Sequence, residues 1–113
     1  MALTAAALNI SADGLAAVAT HVGLVDDTGT ELTGGAYARL AVTWTAAAGG
    51  LIRPTVDKTF EVPAGATVGG WRTYSASSAG VDYGGQAVTN ETYAGAGQYT
   101  LTAAETAIDY DSV

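Results

Sequence analysis

The chain has 113 residues, which suffices for one domain with a modest hydrophobic core. Its eleven acidic and four basic residues give a formal net charge of −7, which disfavours nucleic acid as a partner because phosphate binding depends on Lys and Arg. The absence of cysteine excludes disulfides and thiolate metal sites, and no apolar stretch approaches the roughly 20 residues of a membrane helix. The single Phe predicts a thin core, which favours burial shared between copies in a homo-oligomer.

Residues 1–19 form the first segment and predict a short N-terminal helix or arm. Apolar residues recur at helical spacing between Leu3 and Ile10, and Ser11 is a candidate cap for a second short turn. Gly14 weakens a continuous helix by about 1 kcal/mol relative to Ala. Two interpretations stay open: a helix that packs onto a sheet, and an arm that reaches a neighbouring subunit. Because the segment lacks a basic start, we expect it to belong to the mature protein.

Residues 20–113 predict a single β domain whose first strand covers residues 20–25. This strand contains the only histidine, His21. A catalytic histidine needs a nucleophile and an orienting partner, and no such motif accompanies it. We therefore expect a structural or interface role for His21.

Three carboxylates follow in one short loop, at Asp26, Asp27 and Glu31. Calcium takes six to eight oxygen ligands, and such a loop can supply several of them. The spacing does not match the twelve-residue calcium loop between two helices, and acidic loops with glycine are common as solvated turns. Both interpretations stay open at this point.

The longest alternation of side chains runs over residues 34–45 and predicts the central strand. Leu40 and Trp44 share one parity, while Tyr37 and Arg39 share the other, as in a strand with two different faces. An arginine beside aromatic and small residues can stack on a ring or pair with a carboxylate at an interface. The alternative for Arg39 is an ordinary surface ion pair worth less than about 1 kcal/mol.

The second half of the chain predicts further short strands separated by glycine-rich turns. Pro63 and Gly65 predict a turn, and the adjacent Gly69 and Gly70 predict a bulge or a close approach of two backbones. The predicted strands cover residues 58–62, 66–76, 81–88, 98–103 and 106–110. In total, about 6–8 short strands predict an all-β fold, either a β-sandwich or a barrel-like sandwich.

Aromatic residues are more numerous than basic ones and suggest two roles. They can form a carbohydrate-stacking patch, for which the candidates are Trp71, Tyr74, Tyr83, Tyr93 and Tyr99. Packing in the core or at an interface is the more frequent role of such residues. The interface candidates are Tyr37, Arg39, Trp71, Arg72 and Tyr74. No residue is assigned to a catalytic, cofactor or metal site from the sequence, and the cation interpretation of Asp26, Asp27 and Glu31 stays open.

Three ordered motifs carry a resemblance to known proteins: TGGAYARLAVTWTAAAGG at 33–50, TFEVPAGATVGGW at 59–71 and ETYAGAGQYTLTA at 91–103. The series resembles small β-rich virion proteins of long-tailed bacteriophages, especially of actinobacterial hosts, of the minor tail or tail-fibre-like kind. The resemblance covers roughly residues 20 to 103 and contains no catalytic signature.

The resemblance implies a non-enzymatic structural component of a virion, assembled in the bacterial host cytoplasm from many copies. Its expected partners are other virion proteins of the tail or the major capsid protein, with no cofactor. One alternative is a capsid decoration protein that stabilises the head surface. A second alternative is a carbohydrate or host-surface binding module with an exposed aromatic platform around Trp71 to Tyr83.

Overall fold

The computed structural model describes residues 4–104 and 106–109. Within these described residues one helix precedes eight strands, in the order α1 Ala5–Val18, β1 His21–Val25, β2 Leu40–Ala41, β3 Leu51–Ile52, β4 Lys58–Val62, β5 Thr67–Tyr74, β6 Asp82–Thr92, β7 Gly97–Leu101 and β8 Ile108–Asp109. The paired strands are antiparallel. The predicted β-rich fold with one short N-terminal helix is therefore confirmed. Tyr110, expected in the last strand, lies outside the described residues.

The strands form one sheet of four, in the order β2-β1-β5-β6, and two sheets of two, β3-β8 and β4-β7. The strands β1 and β5 lie in the middle of the larger sheet, where side chains on both faces are buried. The described strands do not close into a barrel, because the larger sheet ends at β2 on one side and at β6 on the other.

The prediction of a central strand over residues 34–45 is wrong. Only Leu40 and Ala41 form a strand there, and this strand lies at the edge of the sheet beside β1. The alternation still marks which side chains face inward, since Val42 is buried and Trp44 is half-buried. The Trp44 indole donates a hydrogen bond to the carbonyl of Ala19, at 2.8 Å, which ties this segment to the end of α1. Alternation therefore reports burial here, although little of the segment pairs as a strand.

The hydrophobic core contains side chains of the large sheet and of the β4-β7 pair. On β4, Phe60 and Val62 are buried while Thr59 and Glu61 are exposed, as the alternation predicts. The core cluster contains Val22, Leu24, Leu32, Val42, Phe60, Val62, Val68, Trp71 and Leu101. The residues that follow β4 form the predicted turn, in which the Ala66 amide donates to the Pro63 carbonyl at 3.2 Å.

The hairpin of β5 and β6 contains the predicted bulge at Gly69 and Gly70. The pairing register shifts between Val68 and Gly70, and a Cβ at Gly69 would lie 2.7 Å from the backbone of Asp26. Gly69 therefore allows the loop after β1 to cross closely over β5. The following strand is longer than the expected 81–88, because β6 continues to Thr92.

The helix α1 is continuous, so the predicted second turn capped by Ser11 is wrong. The Thr4 side chain caps the helix by accepting from the Ala7 amide, whereas Ser11 donates to the Ala7 carbonyl within the helix. Leu8 is buried against Gly50, while Val18 is 44% exposed. The helix thus packs through its Leu8 face, and Val18 does not join the core. Within the described part of the chain, no helix is long and apolar enough to cross a membrane.

Candidate functional site

The loop after β1 is stabilised by its own first carboxylate. Oδ1 of Asp26 accepts hydrogen bonds from the amide and the hydroxyl of Thr28, at 2.8 and 2.7 Å, and from the Thr30 amide at 3.0 Å. The Thr28 hydroxyl, followed by the Thr30 amide, lowers the pKa of Asp26. The Asp26 side chain therefore stabilises the turn, as Asp side chains commonly do.

The three carboxylates of this loop do not converge. Asp26 turns into the loop, while Glu31 points to Arg39. Across residues 4–104 and 106–109, no group of three or more His, Cys, Asp or Glu side chains is arranged to hold a metal ion. The geometry favours the solvated turn over the cation site.

A cluster of four side chains, Glu31, Tyr37, Arg39 and Tyr74, lies at one end of the large sheet, and we call it the arginine cluster. Arg39 meets the Glu31 carboxylate with two parallel hydrogen bonds, from Nε to Oε2 at 2.9 Å and from Nη2 to Oε1 at 2.8 Å. The Arg39 guanidinium also lies 3.6 Å from the centre of the Tyr74 ring. The side chain of Arg39 is only 10% exposed. The cluster therefore combines ion pairing with ring stacking in a sheltered position.

Tyr37 connects the cluster to the core and to β1. Its hydroxyl donates to Oε2 of Glu31 at 2.7 Å and accepts from the Leu24 amide at 3.0 Å. Its ring stacks on Phe60, with centroids 6.4 Å apart. A single side chain thus links an ion pair, a strand backbone and a core ring.

The same arginine holds the loop of residues 75–80. Nη1 of Arg39 donates to the carbonyls of Ala76, at 3.0 Å, and Ala79, at 2.7 Å. Ala79 has a φ of 53°, a left-handed conformation that non-glycine residues rarely adopt. The bond to Arg39 compensates for part of this strain.

Gly23, in the middle of β1, makes room for the cluster. A Cβ at this position would lie 2.7 Å from the Tyr37 hydroxyl, 2.9 Å from Oε2 of Glu31 and 3.0 Å from the ring of Tyr74. Neither the role of Gly23 nor that of Glu31 was predicted from the sequence. A glycine inside an otherwise apolar strand often indicates that another part of the protein approaches the strand backbone closely. Gly23 was therefore the feature of the sequence from which this contact could be predicted.

Proton affinities in the cluster follow from these contacts. Burial acts to raise the pKa of Glu31, but hydrogen bonds from Arg39 and Tyr37 outweigh it, and the net pKa is lowered. Burial and the bond to Glu31 raise the pKa of Tyr37 well above 10.0. Burial, followed by the negative charge of Glu31, raises the pKa of Tyr74. The cluster thus favours a charged Glu31 and neutral tyrosines, the protonation states that its hydrogen bonds require.

The structure brings together three of the five predicted interface residues, Tyr37, Arg39 and Tyr74, in direct contacts of the arginine cluster. Trp71 is 3% exposed and belongs to the core, so the expected exposed platform cannot be centred on it. Arg72 forms a solvent-exposed ion pair with Asp82 at 3.1 Å.

The remaining predicted residues make local contacts. His21 shares a hydrogen bond of 2.9 Å with the hydroxyl of Thr20, its neighbour in sequence. The Tyr93 hydroxyl donates to the carbonyl of Gln98 at 2.8 Å, across the turn before β7. Among the aromatic candidates for ligand stacking, Tyr83 is 39% exposed.

The most open element of the structure is β6. It has eleven residues, it forms an edge of the large sheet, and most of its side chains on both faces are exposed. Open grooves of about 470 and 310 Å³ meet at Gly84, Gly85 and Gln86. This exposed edge, together with the sheltered arginine cluster, constitutes the candidate functional surface. Comparison of the chain with protein-family models, curated proteins and solved structures finds no match.

Proposed function

We propose that the chain is a non-enzymatic structural component of a bacteriophage virion, of the minor tail or tail-fibre-like kind, present in many copies. The observation that carries this proposal is the exposed strand β6, which pairs with β5 on one side and forms an edge of the large sheet on the other. The phage setting comes from the resemblance of the three ordered motifs.

The arginine cluster supports a structural role over a catalytic one. The Glu31 carboxylate accepts three hydrogen bonds, and the Tyr37 hydroxyl both donates and accepts. Groups engaged in this way hold strands and loops in place, since proton transfer needs a group that can reach a substrate. In this proposal, the cluster keeps the end of the sheet rigid while the exposed strand makes contacts.

We further propose that the large sheet and the β4-β7 pair pack face to face as a β-sandwich. Core residues of the large sheet, such as Leu24 and Trp71, share one cluster with Phe60 and Leu101 of the β4-β7 pair. Two antiparallel sheets packed in this way suit a small particle component, because the fold exposes sheet edges at its sides.

Immunolabelling of intact particles tests the proposal. An antibody raised against the purified protein should detect it in purified particles of the phage that carries the gene, in several copies per particle, and gold label should lie on the tail. Label on the head would instead assign the protein to capsid decoration. Absence of the protein from particles washed at high salt, with abundant protein in the infected cell, would overturn the structural role.

A further inference from the structure

We propose that β6 is a self-complementary interface, at which β6 of a second copy of the chain adds in antiparallel orientation to the edge of the large sheet. This inference rests on the proposed function, in which the protein assembles in multiple copies, and it names the surface that joins them. It follows from the position, the length and the charge of β6.

The position and length of β6 favour strand addition. An edge strand presents unpaired N–H and C=O groups, and proteins commonly protect such edges with charges, proline or short strands. In the β4-β7 pair, β4 carries Lys58 and Glu61 and has five residues. The eleven residues of β6 contain neither lysine nor proline, and the two charged residues, Asp82 and Glu91, lie near the ends of the strand.

The distribution of charge favours a second copy as the occupant. The chain carries a net charge of −7, so two copies repel each other over most of their surfaces. The eight residues from Tyr83 to Asn90 carry no charge. At one end of this run, Asp82 is already paired with Arg72 at 3.1 Å. This run is therefore a place where two acidic copies can meet without opposing like charges.

The register follows from the regular part of the strand. Residues Gly84–Ala87 pair in sequence with β5, and the pairing shifts on both sides of this run. A two-fold axis at residue 86, within this run, sets Gln86 of one copy opposite Gln86 of the other and Tyr83 of each copy opposite Thr89 of the other. An aromatic residue opposite a β-branched one is a favourable cross-strand pair. In this register Asp82 lies opposite Asn90, so no two acidic residues of the run face each other.

The contact between two single strands is small compared with specific interfaces, which bury about 1,200–2,000 Å². We therefore expect dissociation in the micromolar range for isolated pairs. Repetition on a particle surface then strengthens the contact through multivalency.

Charge substitution beside the two-fold axis tests the interface. Gln86→Lys and Gln86→Glu each place two like charges near the axis, so each variant alone should shift the dimerisation constant at least tenfold toward monomer, measured by light scattering between about 1 μM and about 1 mM. An equimolar mixture of the two variants should restore dimers. Gln98→Lys is the matched control, because Gln98 is exposed on β7 and the substitution changes the charge equally. The circular dichroism spectrum of each variant verifies its fold.

Four outcomes decide the proposal. Loss of dimers in the single variants with recovery in the mixture supports the β6 interface. Dimers that persist in both variants overturn it, while the multi-copy structural role stands. If Gln98→Lys weakens dimerisation as much as Gln86→Lys does, the proposal is also overturned, because the effect then depends on net charge and not on the position of the charge. A wild-type chain that is monomeric up to about 1 mM overturns the interface, and the virion labelling then tests the proposed function by itself.

Discussion

Arg39 and Glu31 lie eight residues apart in sequence and form an ion pair with two parallel hydrogen bonds of 2.9 and 2.8 Å. The guanidinium also donates to two carbonyls of the loop 75–80 and stacks on Tyr74. One side chain thus joins three segments of the chain at one end of the large sheet.

The first prediction concerns the shape of the cation at position 39. Arg39→Lys keeps the charge but loses the planar group that reaches Glu31 and both loop carbonyls, so the free energy of unfolding should fall by about 1–3 kcal/mol. Urea denaturation at neutral pH measures the change. Arg72→Lys is the control, because its pair with Asp82 is exposed and should contribute less than about 1 kcal/mol. Equal losses in the two variants would contradict the role assigned to Arg39.

The second prediction concerns the space above Gly23. Gly23→Ala introduces a Cβ into contact with three side chains of the cluster, so we expect a loss of about 1–3 kcal/mol in stability. Gly95→Ala, at a position with no atom within 4 Å, should change stability by less than about 1 kcal/mol. Thermal unfolding of the two variants gives the comparison. An unchanged melting temperature for Gly23→Ala would show that the cluster does not lie on β1 as described.

The third prediction concerns pH. The pKa of Glu31 is lowered in the folded chain, so its contribution is present above its ordinary value of 4.5 and is lost as the pH falls through the folded value. The pKa of Tyr37 is raised, so its contribution is present below 10.0 and is lost as the pH rises above that value. Stability measured in urea should therefore decline on both sides of neutral pH.

Two variants test which residues cause the decline of stability at acid and at alkaline pH. Glu31→Gln should reduce the pH dependence of stability on the acid side only in part. The pKa of Asp26 is lowered as well, so the contribution of Asp26 remains. Tyr37→Phe should flatten the alkaline side in part, because the pKa of Tyr74 is also raised. An acid slope that is unchanged in Glu31→Gln would show that other groups account for it.

The fourth prediction concerns the strained backbone of Ala79. Ala79→Gly removes the steric cost of a positive φ and keeps the carbonyl that Arg39 binds, so stability should rise by up to about 1 kcal/mol. The neighbouring Ala76 also accepts from Arg39 but has no positive φ, so Ala76→Gly should lower stability. Differential scanning calorimetry compares the variants. The reverse order of stabilities would contradict the strain at Ala79.

The sequence predicts best those strands that combine alternation with clear ends. The β4 strand has Phe60 and Val62 inward and is followed directly by Pro63, and its predicted bounds match the structure. The strongest alternation, over residues 34–45, led to a wrong prediction of the central strand, because β1 and β5 form the middle of the large sheet. These strands are buried on both faces, and such strands read as apolar runs without alternation.

The arginine cluster was predictable only in part. The shared parity of Tyr37 and Arg39 indicated that the two side chains lie on one face, and the structure brings both to Glu31. Tyr74 joins them from β5, which pairs with β1 although the two strands are far apart in sequence. Such a long-range pairing cannot be predicted from a local sequence pattern. The carbonyl partners in loop 75–80 depend on backbone conformation, which residue types do not determine.

The pairing of β1 with β5 also has a consequence for synthesis on the ribosome. His21 of β1 pairs with Tyr74 of β5, and Val25 pairs with Gly70, so β1 acquires its long neighbour only after residues 26–66 and β5 itself have been made. At about 5–20 residues per second, the apolar strand β1 then remains without this partner for several seconds. During this time the side chains of Val22, Leu24 and Val25 lack the strand beside which they are buried in the folded protein.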